Sequence, residues 1–533
     1  MQKRISNEML SELSRYVTVN MGLYFPKGRW LDMLRGMQAA SKEFGMDNVE
    51  DCIRWLLSCP PKKKQVEILA RHLTVGETYF FREPKVFEAL EKKILPELIR
   101  SRWETEKRLR IWSAGCCTGE EAYSIAILLT RLIPDLKDWN ITILATDINP
   151  HFLAKAVDGV YREWSFRGTP YWLKENYFRV TAESGYEIAP HIKRMVQFQY
   201  LNLVEDVYPS LYNDTNAMDI IFCRNVLMYF STSQVKKVID RLHHCLLDSG
   251  HLIVASSETS HLFYPQFITI NYPGSIFYKK DTNAVAEKKK IENCYPEREE
   301  DAALPEPKAV VWEPVAASPK IDEDKPGTTF VEDYQFRASR ERKQEFPAPQ
   351  NSFPSPKEAP VEAAQADDAA MKEMERLYEL GSYDEIVSVL QKRATETEKN
   401  VRALTLLAKS YANQGKLQDA LHWCEKAIHL EKLNPKCYHL RAVILQEQGK
   451  MADAVDSLKR ALYLDPNYAL AYFMLGNLMK QTGKSKEGNK YLQNALHILG
   501  MHDHEAVLPE SEGITVGMLK ELIQIMVSGD NPA

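Results

Sequence analysis

The residues best suited to chemistry sit in one short run and in a few positions that answer it further along the chain. Ser113-Ala114-Gly115-Cys116-Cys117-Thr118-Gly119 is a turn of small residues after the β-prone Leu109–Trp112, and Glu120 and Glu121 open the helical pattern that follows. Two glycines let the backbone approach a ligand closely, and a helix start offers unpaired N–H donors at a positive dipole end. A phosphate would want those donors to itself. Acids in the first turn suit instead a ligand carrying a cation or ribose hydroxyls. Asp147 closes a β-rich run, Ile141–Thr146, some thirty residues after the turn, where an acid at the end of a second strand binds ribose. Asn202 and Asn225 also follow strand ends, and Arg82 stands beside Phe80 and Phe81. Such an arginine can orient a carboxylate at a pocket wall, or form a structural ion pair. The glycine turn alone fits an ordinary tight β–α connection equally well.

Together these positions describe a pocket for an adenine- and ribose-bearing ligand. A dinucleotide is the obvious alternative, but GxGxxG is absent and the early glutamates disfavour a pyrophosphate at that helix start. S-adenosylmethionine, cationic and free of phosphate, fits better.

The elements that must hold these residues follow from periodicity. Met9, Leu10, Leu13, Tyr16 and Val17 keep helical spacing, as do Trp30, Leu31, Leu34 and Met37, and a third run covers Val49 to Cys59. The second of these helices is expected to carry a basic strip of Lys27, Arg29 and Arg35, either a solvated face or a dock for an acidic partner helix. From residue 109 to about 280 strands and helices alternate, which predicts a mostly parallel doubly wound sheet. Residues 161–200 are polar and aromatic with short β-like runs such as Met195–Tyr200, and read as a small β insertion. Residues 282–366 hold eleven of the 27 prolines and few aromatics, so a disordered linker is expected there.

Beyond the linker the chain repeats. Gly381, Gly415, Gly449 and Gly483 stand 34 residues apart, and Ala427, Ala461 and Ala495 keep the same step. That period is the tetratricopeptide signature. Three units are clear (401–434, 435–468, 469–502), residues 367–400 form a degenerate one, and Ile514–Val527 reads as a capping helix.

Residues 1–280 resemble the chemotaxis-receptor glutamate methyltransferases, the CheR family. The resemblance rests on GETYFFRE at 76–83, WSAGCCTGEEAYSIA at 112–126, ATDIN at 145–149 and FCRNVLMYF at 222–230, in the family's order. It implies an enzyme that uses S-adenosylmethionine to esterify glutamate side chains on the helical signalling domain of a chemoreceptor-like protein. It further implies a cofactor shell of Thr78, Arg82, Gly115, Glu121, Asp147, Asn202, Leu203, Arg224 and Asn225, with Arg82 and Tyr229 nearest the transferred methyl. Lys27, Arg29 and Arg35 would touch the substrate. Gly76 departs from the family's pattern, where that position is often asparagine, and the basic strip is thinner than in members with several arginines there.

The resulting architecture is multidomain α/β plus all-α. It comprises an N-terminal helical domain (1–90), a methyltransferase domain (91–281), the linker (282–366) and a repeat solenoid (367–533). Tetratricopeptide arrays present a groove for a protein or peptide, so a second, unidentified partner is expected there. A net charge of −5 argues against a nucleic-acid binder, although residues 1–85 hold 14 Lys+Arg against 10 Asp+Glu. Nine cysteines without CxxC pairs read as reduced thiols, and no apolar run reaches the ~18 residues of a membrane span. A cytoplasmic protein without membrane insertion is the expectation, and no metal site is foreseen. An alternative is a signalling scaffold that binds S-adenosylmethionine without turning it over. A nucleic-acid or small-molecule methyltransferase fits less well, because CRNVLMY stands where amino-methylating DNA enzymes carry Asn-Pro-Pro-aromatic.

Overall fold

The computed structural model describes residues 5–285 and 359–528, apart from 59, 105, 183, 261–262, 505 and 512–514. Most of the expected linker therefore lies outside the described residues.

The chain opens with four helices, Asn7–Met21, Trp30–Glu43, Val49–Ser58 and Lys63–Leu73. The Ser6 hydroxyl accepts the Met9 N–H to start the first, and Gly22, at φ +76°, ends it in the left-handed region. Their apolar faces close around Leu13, Val17, Met33, Met37, Ile53 and Leu69, all fully buried. Lys27 and Arg29 do not ride on the second helix; they form a 3₁₀ turn, Lys27–Arg29, before it. Asp32 then lies 3.7 Å from Arg29 and 3.3 Å from Arg35, so the strip contains its own counter-charge.

The central sheet is built from β1 (Arg108–Ala114), β2 (Asn140–Asp147), β6 (Val196–Tyr200), β7 (Met218–Phe222), β8 (Leu246–Ile253), β9 (Ile268–Tyr272) and β10 (Ser275–Lys279). Their order is β6-β2-β1-β7-β8-β10-β9; the first five run parallel, and β10 pairs antiparallel with both β8 and β9. All seven residues of β1 are buried, as a central strand with both faces covered must be. Strand order reverses direction between β1 and β7, and ligands of such sheets bind outside the carboxyl ends at that switch.

The insertion is smaller than expected. β3 (Val160–Tyr161), β4 (Phe178–Val180) and β5 (Tyr186–Ile188) make a separate antiparallel sheet of order β3-β5-β4, whereas Val196–Tyr200 joins the main sheet beside β2. A half-buried strand reads the same in the two settings, so periodicity could not separate them. An aromatic cluster joins this small sheet to the segment that carries Arg82: Phe80 stacks on Phe166 and meets Tyr161 and Phe178 edge to face.

Residues 359–528 form helix pairs: 359–379 with 383–392, 401–413 with 417–430, 435–447 with 451–464, and 469–481 with 485–499. A last helix, Val516–Ser528, follows. Gly381, Gly415, Gly449 and Gly483 all hold φ between +70° and +80°, so one backbone turn recurs at each step of the period. The degenerate unit forms a helix pair too, in keeping with the helical pattern its sequence retains.

Candidate functional site

A cavity opens where the carboxyl ends of β1, β2 and β7 meet the N-terminal helices. Leu23 bridges to Phe230, and the Tyr24 N–H donates to the Tyr229 carbonyl at 2.7 Å, which closes one wall. Arg29, Thr78, Arg82, Gly115, Glu121, Asp147, Asn202, Leu203, Arg224, Asn225 and Tyr229 all line this cavity. Lys27 and Arg35 do not line it.

The floor is the glycine turn. Gly115 lies at φ +81°, and a β-carbon there would run into Val226. Cys117, at φ +50°, donates its N–H to Asp147 Oδ2 at 2.9 Å, and Asn149 donates to Oδ1 at 2.8 Å. Burial pushes the Asp147 carboxyl up to about 6, against these backbone donors. Burial also raises the thiols of Cys116 and Cys117, so neither is poised as a nucleophile.

Arg224 is the organising cation. Its Nη1 donates to Glu121 Oε2 at 2.9 Å, its Nη2 to the Arg82 carbonyl at 2.7 Å, and Glu83 lies 3.3 Å away. Ser113 completes Glu121 with a 2.7 Å hydrogen bond to Oε1. Arg82 is half-buried, donates Nη1 to the Glu77 carbonyl and, among the described residues, forms no ion pair. Phe81, Glu83, Cys117 and Asn225 all hold positive φ within this shell. Non-glycine residues in that region are strained, and the strain gathers at the cavity.

Two side chains escaped the sequence reading. Glu258 accepts the N–H groups of Asn225 (2.7 Å), Met228 (3.0 Å) and Ala255 (3.0 Å), and so pins the loop after β7. Its one signal was an acid just past a strand end. Phe152 explains Gly76: a β-carbon at 76 would stand 2.6 Å from its ring, so the ring occupies the space an asparagine side chain would need. Asn202 spends its amide on the Asn20 carbonyl (2.8 Å) and Glu205 (3.1 Å), tying the wall to the helical domain.

The family model described as "CheR methyltransferase, SAM binding domain" matches residues 76–272, and models of TPR repeats and of anaphase-promoting complex subunit 3 match 444–483 and 365–461. A chemotaxis protein methyltransferase of Borreliella burgdorferi is 31% identical over 257 residues, covering 48% of this chain and 89% of that protein. The chain belongs to the CheR family. It is an S-adenosylmethionine-dependent protein-glutamate methyltransferase with a repeat module. Among other CheR relatives, chemotaxis protein methyltransferase 1 of Pseudomonas aeruginosa is 32% identical, over 40% of this chain and 77% of its own. A probable biofilm formation methyltransferase, WspC, of the same organism is 32% identical over 41% of this chain and 50% of its own. No described helix is long and apolar enough to cross a membrane.

The residues present fit the cofactor. Among the described residues no lysine lines the cavity, Arg224 is already engaged by two carboxylates and Arg29 faces Asp32, so Arg82 is the one cation there without a carboxylate and no cluster awaits a phosphate. The helix start after the glycine turn carries acids, and the Gly115 cradle would be filled by any side chain.

Proposed function

We propose that this cavity holds S-adenosylmethionine over the glycine turn, with Asp147 taking the ribose hydroxyls and Thr78, Gly115, Glu121, Asn202, Leu203, Arg224 and Asn225 completing the shell. The observation that supports it is the convergence of the Asp147 carboxylate, the Gly115 cradle and the unpaired Arg82 guanidinium on one space. When bound, the cofactor supplies an electrophilic methyl on a sulfonium. A glutamate side chain has a reference pKa of about 4.3 and arrives ionised, so the protein needs no general base.

Arg82 holds that carboxylate by a charge-assisted pair, and Arg224, bonded to its carbonyl, fixes the segment it stands on. Tyr229 walls the methyl path or donates a hydrogen bond to the carboxylate. The helical domain closes over the reacting groups and excludes water, and orientation supplies most of the acceleration.

The substrate is a helical signalling domain of a chemoreceptor-like protein, bound across Lys27, Arg29 and Arg35. Asp32 between the two arginines weakens the strip's attraction for acidic helices. The repeats bind a protein or peptide that recruits or gates the enzyme. Arg82→Ala should abolish transfer of a tritiated methyl while calorimetric binding of S-adenosylhomocysteine persists. Near-normal turnover in that variant would remove Arg82 from its role.

A further inference from the structure

The repeat array lies against the methyltransferase sheet at the amino ends of its strands, opposite the cavity. Three of its four turn glycines meet that domain: a β-carbon at Gly381 would strike His244 at 2.7 Å, one at Gly415 would strike Leu247 at 2.8 Å, and one at Gly449 would reach Asn140 at 3.6 Å. These contacts step from the start of β8 to the start of β2 as the array advances. A β-carbon at Gly483, the fourth, would meet nothing.

Between these turns lies a buried charge cluster. Glu447, at the end of helix 435–447, takes Arg108 Nη2 at 2.8 Å on one carboxylate oxygen and Asn216 Nδ2 at 3.0 Å on the other. Its carbonyl accepts Asn140 Nδ2 at 2.8 Å. The side chains of Arg108 and Glu447 are 3% and 4% exposed. Behind them Arg110 reaches the Asp214 carbonyl at 2.7 Å, and Asp219 accepts the Arg110 N–H at 2.8 Å. Buried charges of this kind persist only when paired.

The segment between β6 and β7 goes further and enters the array. Leu211 is buried in a cluster with Leu407, Tyr411 and Leu440 from the first helices of two pairs. The Tyr212 ring stacks on His439 at 5.3 Å and 6°, and Lys409 Nζ lies 5.6 Å above it. His439 also bonds the Tyr468 hydroxyl at 3.2 Å. An aromatic and an aliphatic anchor seated on the inner helices is how such arrays hold a peptide.

The same segment begins at the cavity. Asn202 and Leu203 line it, the Tyr208 hydroxyl bonds the Leu203 carbonyl at 2.7 Å, and Arg241 donates to the carbonyls of Leu203, Val204 and Glu205. We infer that residues 208–216 are the resident ligand of the repeat groove, and that their docking steadies the Asn202–Leu203 wall of the cavity. An external protein that enters the groove therefore competes with this segment, and by reciprocity the methyl donor favours the docked form. The second half rests on the methyl-donor reading of the cavity.

The test is a full-length protein with a protease site placed between residues 300 and 340. After cutting, the two halves should co-elute by size exclusion at micromolar concentration. Glu447→Ala or Tyr212→Ala should separate them, with the helical circular dichroism of each half retained. Separation of the unsubstituted halves would overturn the docking, and so would co-elution unaffected by both substitutions. In the uncut chain, Tyr212→Ala should weaken S-adenosylhomocysteine binding by about fivefold in calorimetry. Unchanged affinity would overturn the link to the cavity. Absence of binding to the unsubstituted protein would overturn the methyl-donor reading instead, and elution reports the docking either way.

Discussion

The two ends of one sheet use the same residue types for opposite purposes. At the amino ends Arg108, Arg110, Asp214, Asp219 and Glu447 meet in a largely buried cluster, and each carboxylate is met by a donor or an arginine within the chain. At the carboxyl ends Arg224 and Glu121 pair in a similar way, yet Arg82 is left without a counter-charge among the described residues, at the edge of an open cavity. Burial makes an unpaired charge expensive, so the buried arginines at the amino ends face carboxylates, whereas half-buried Arg82 stands where a ligand's charge can reach it. The paired end is structural, and the unpaired end is chemical.

Breaking the structural end should give the largest effect. Glu447→Ala leaves the Arg108 guanidinium buried without its carboxylate, and losing one partner of a buried pair destabilises by about 3–5 kcal/mol. Denaturant unfolding of the full chain should show that loss, and an unchanged midpoint would erase the contrast between the two ends. Glu447→Gln, which keeps the shape and one acceptor, should lose less.

Glu258 sharpens the comparison, because it serves the chemical end by structural means. Glu258→Gln removes an acceptor oxygen from beneath Asn225, Met228 and Ala255, and an unsatisfied buried N–H costs about 1–3 kcal/mol. The loop it pins carries both Asn225 and Tyr229. Methyl transfer should therefore fall together with stability, about tenfold for each ~1.4 kcal/mol carried into the transition state. A variant that loses stability but keeps full turnover would show that the loop is set by something else.

These two acids also mark where sequence reasoning stopped. The glycine turn, the first-turn glutamates and Asp147 were legible because a strand–turn–helix unit is local, and each residue's position in it follows from spacing. The 34-residue step was legible for the same reason, since every turn glycine adopts one conformation. Glu447 was not, because its partner Arg108 lies 339 residues away and no periodicity records such a pair. The one available hint was Arg108 and Arg110 alternating with Leu109 and Ile111 at the start of a buried strand. Val196–Tyr200 pairs with β2 and not with the insertion, a difference its sequence does not carry, because an edge strand of a parallel sheet and a strand of a small insertion show the same half-buried alternation. Spacing places the basic strip on the second helix, whereas Pro26-Lys27-Gly28 delays that helix to Trp30.

The smallest effect comes from Asp147, whose sign differs from that of a surface acid. Burial raises its carboxyl from the ordinary carboxylate range to about 6, so the folded chain binds this proton more tightly than the unfolded chain does. Any stability it contributes is complete at low pH and is lost as pH rises through that window. Ligand binding runs the other way, because ribose hydroxyls donate to the ionised form. Affinity for S-adenosylhomocysteine should therefore be flat above neutrality and fall by about twofold at pH 6, where half the Asp147 population is protonated. Asp147→Asn should bind more weakly and show no such bend. A bend that survived in Asp147→Asn would assign it to another group. Asp147 would then belong with the satisfied charges at the far end of the sheet, despite its place at the cavity.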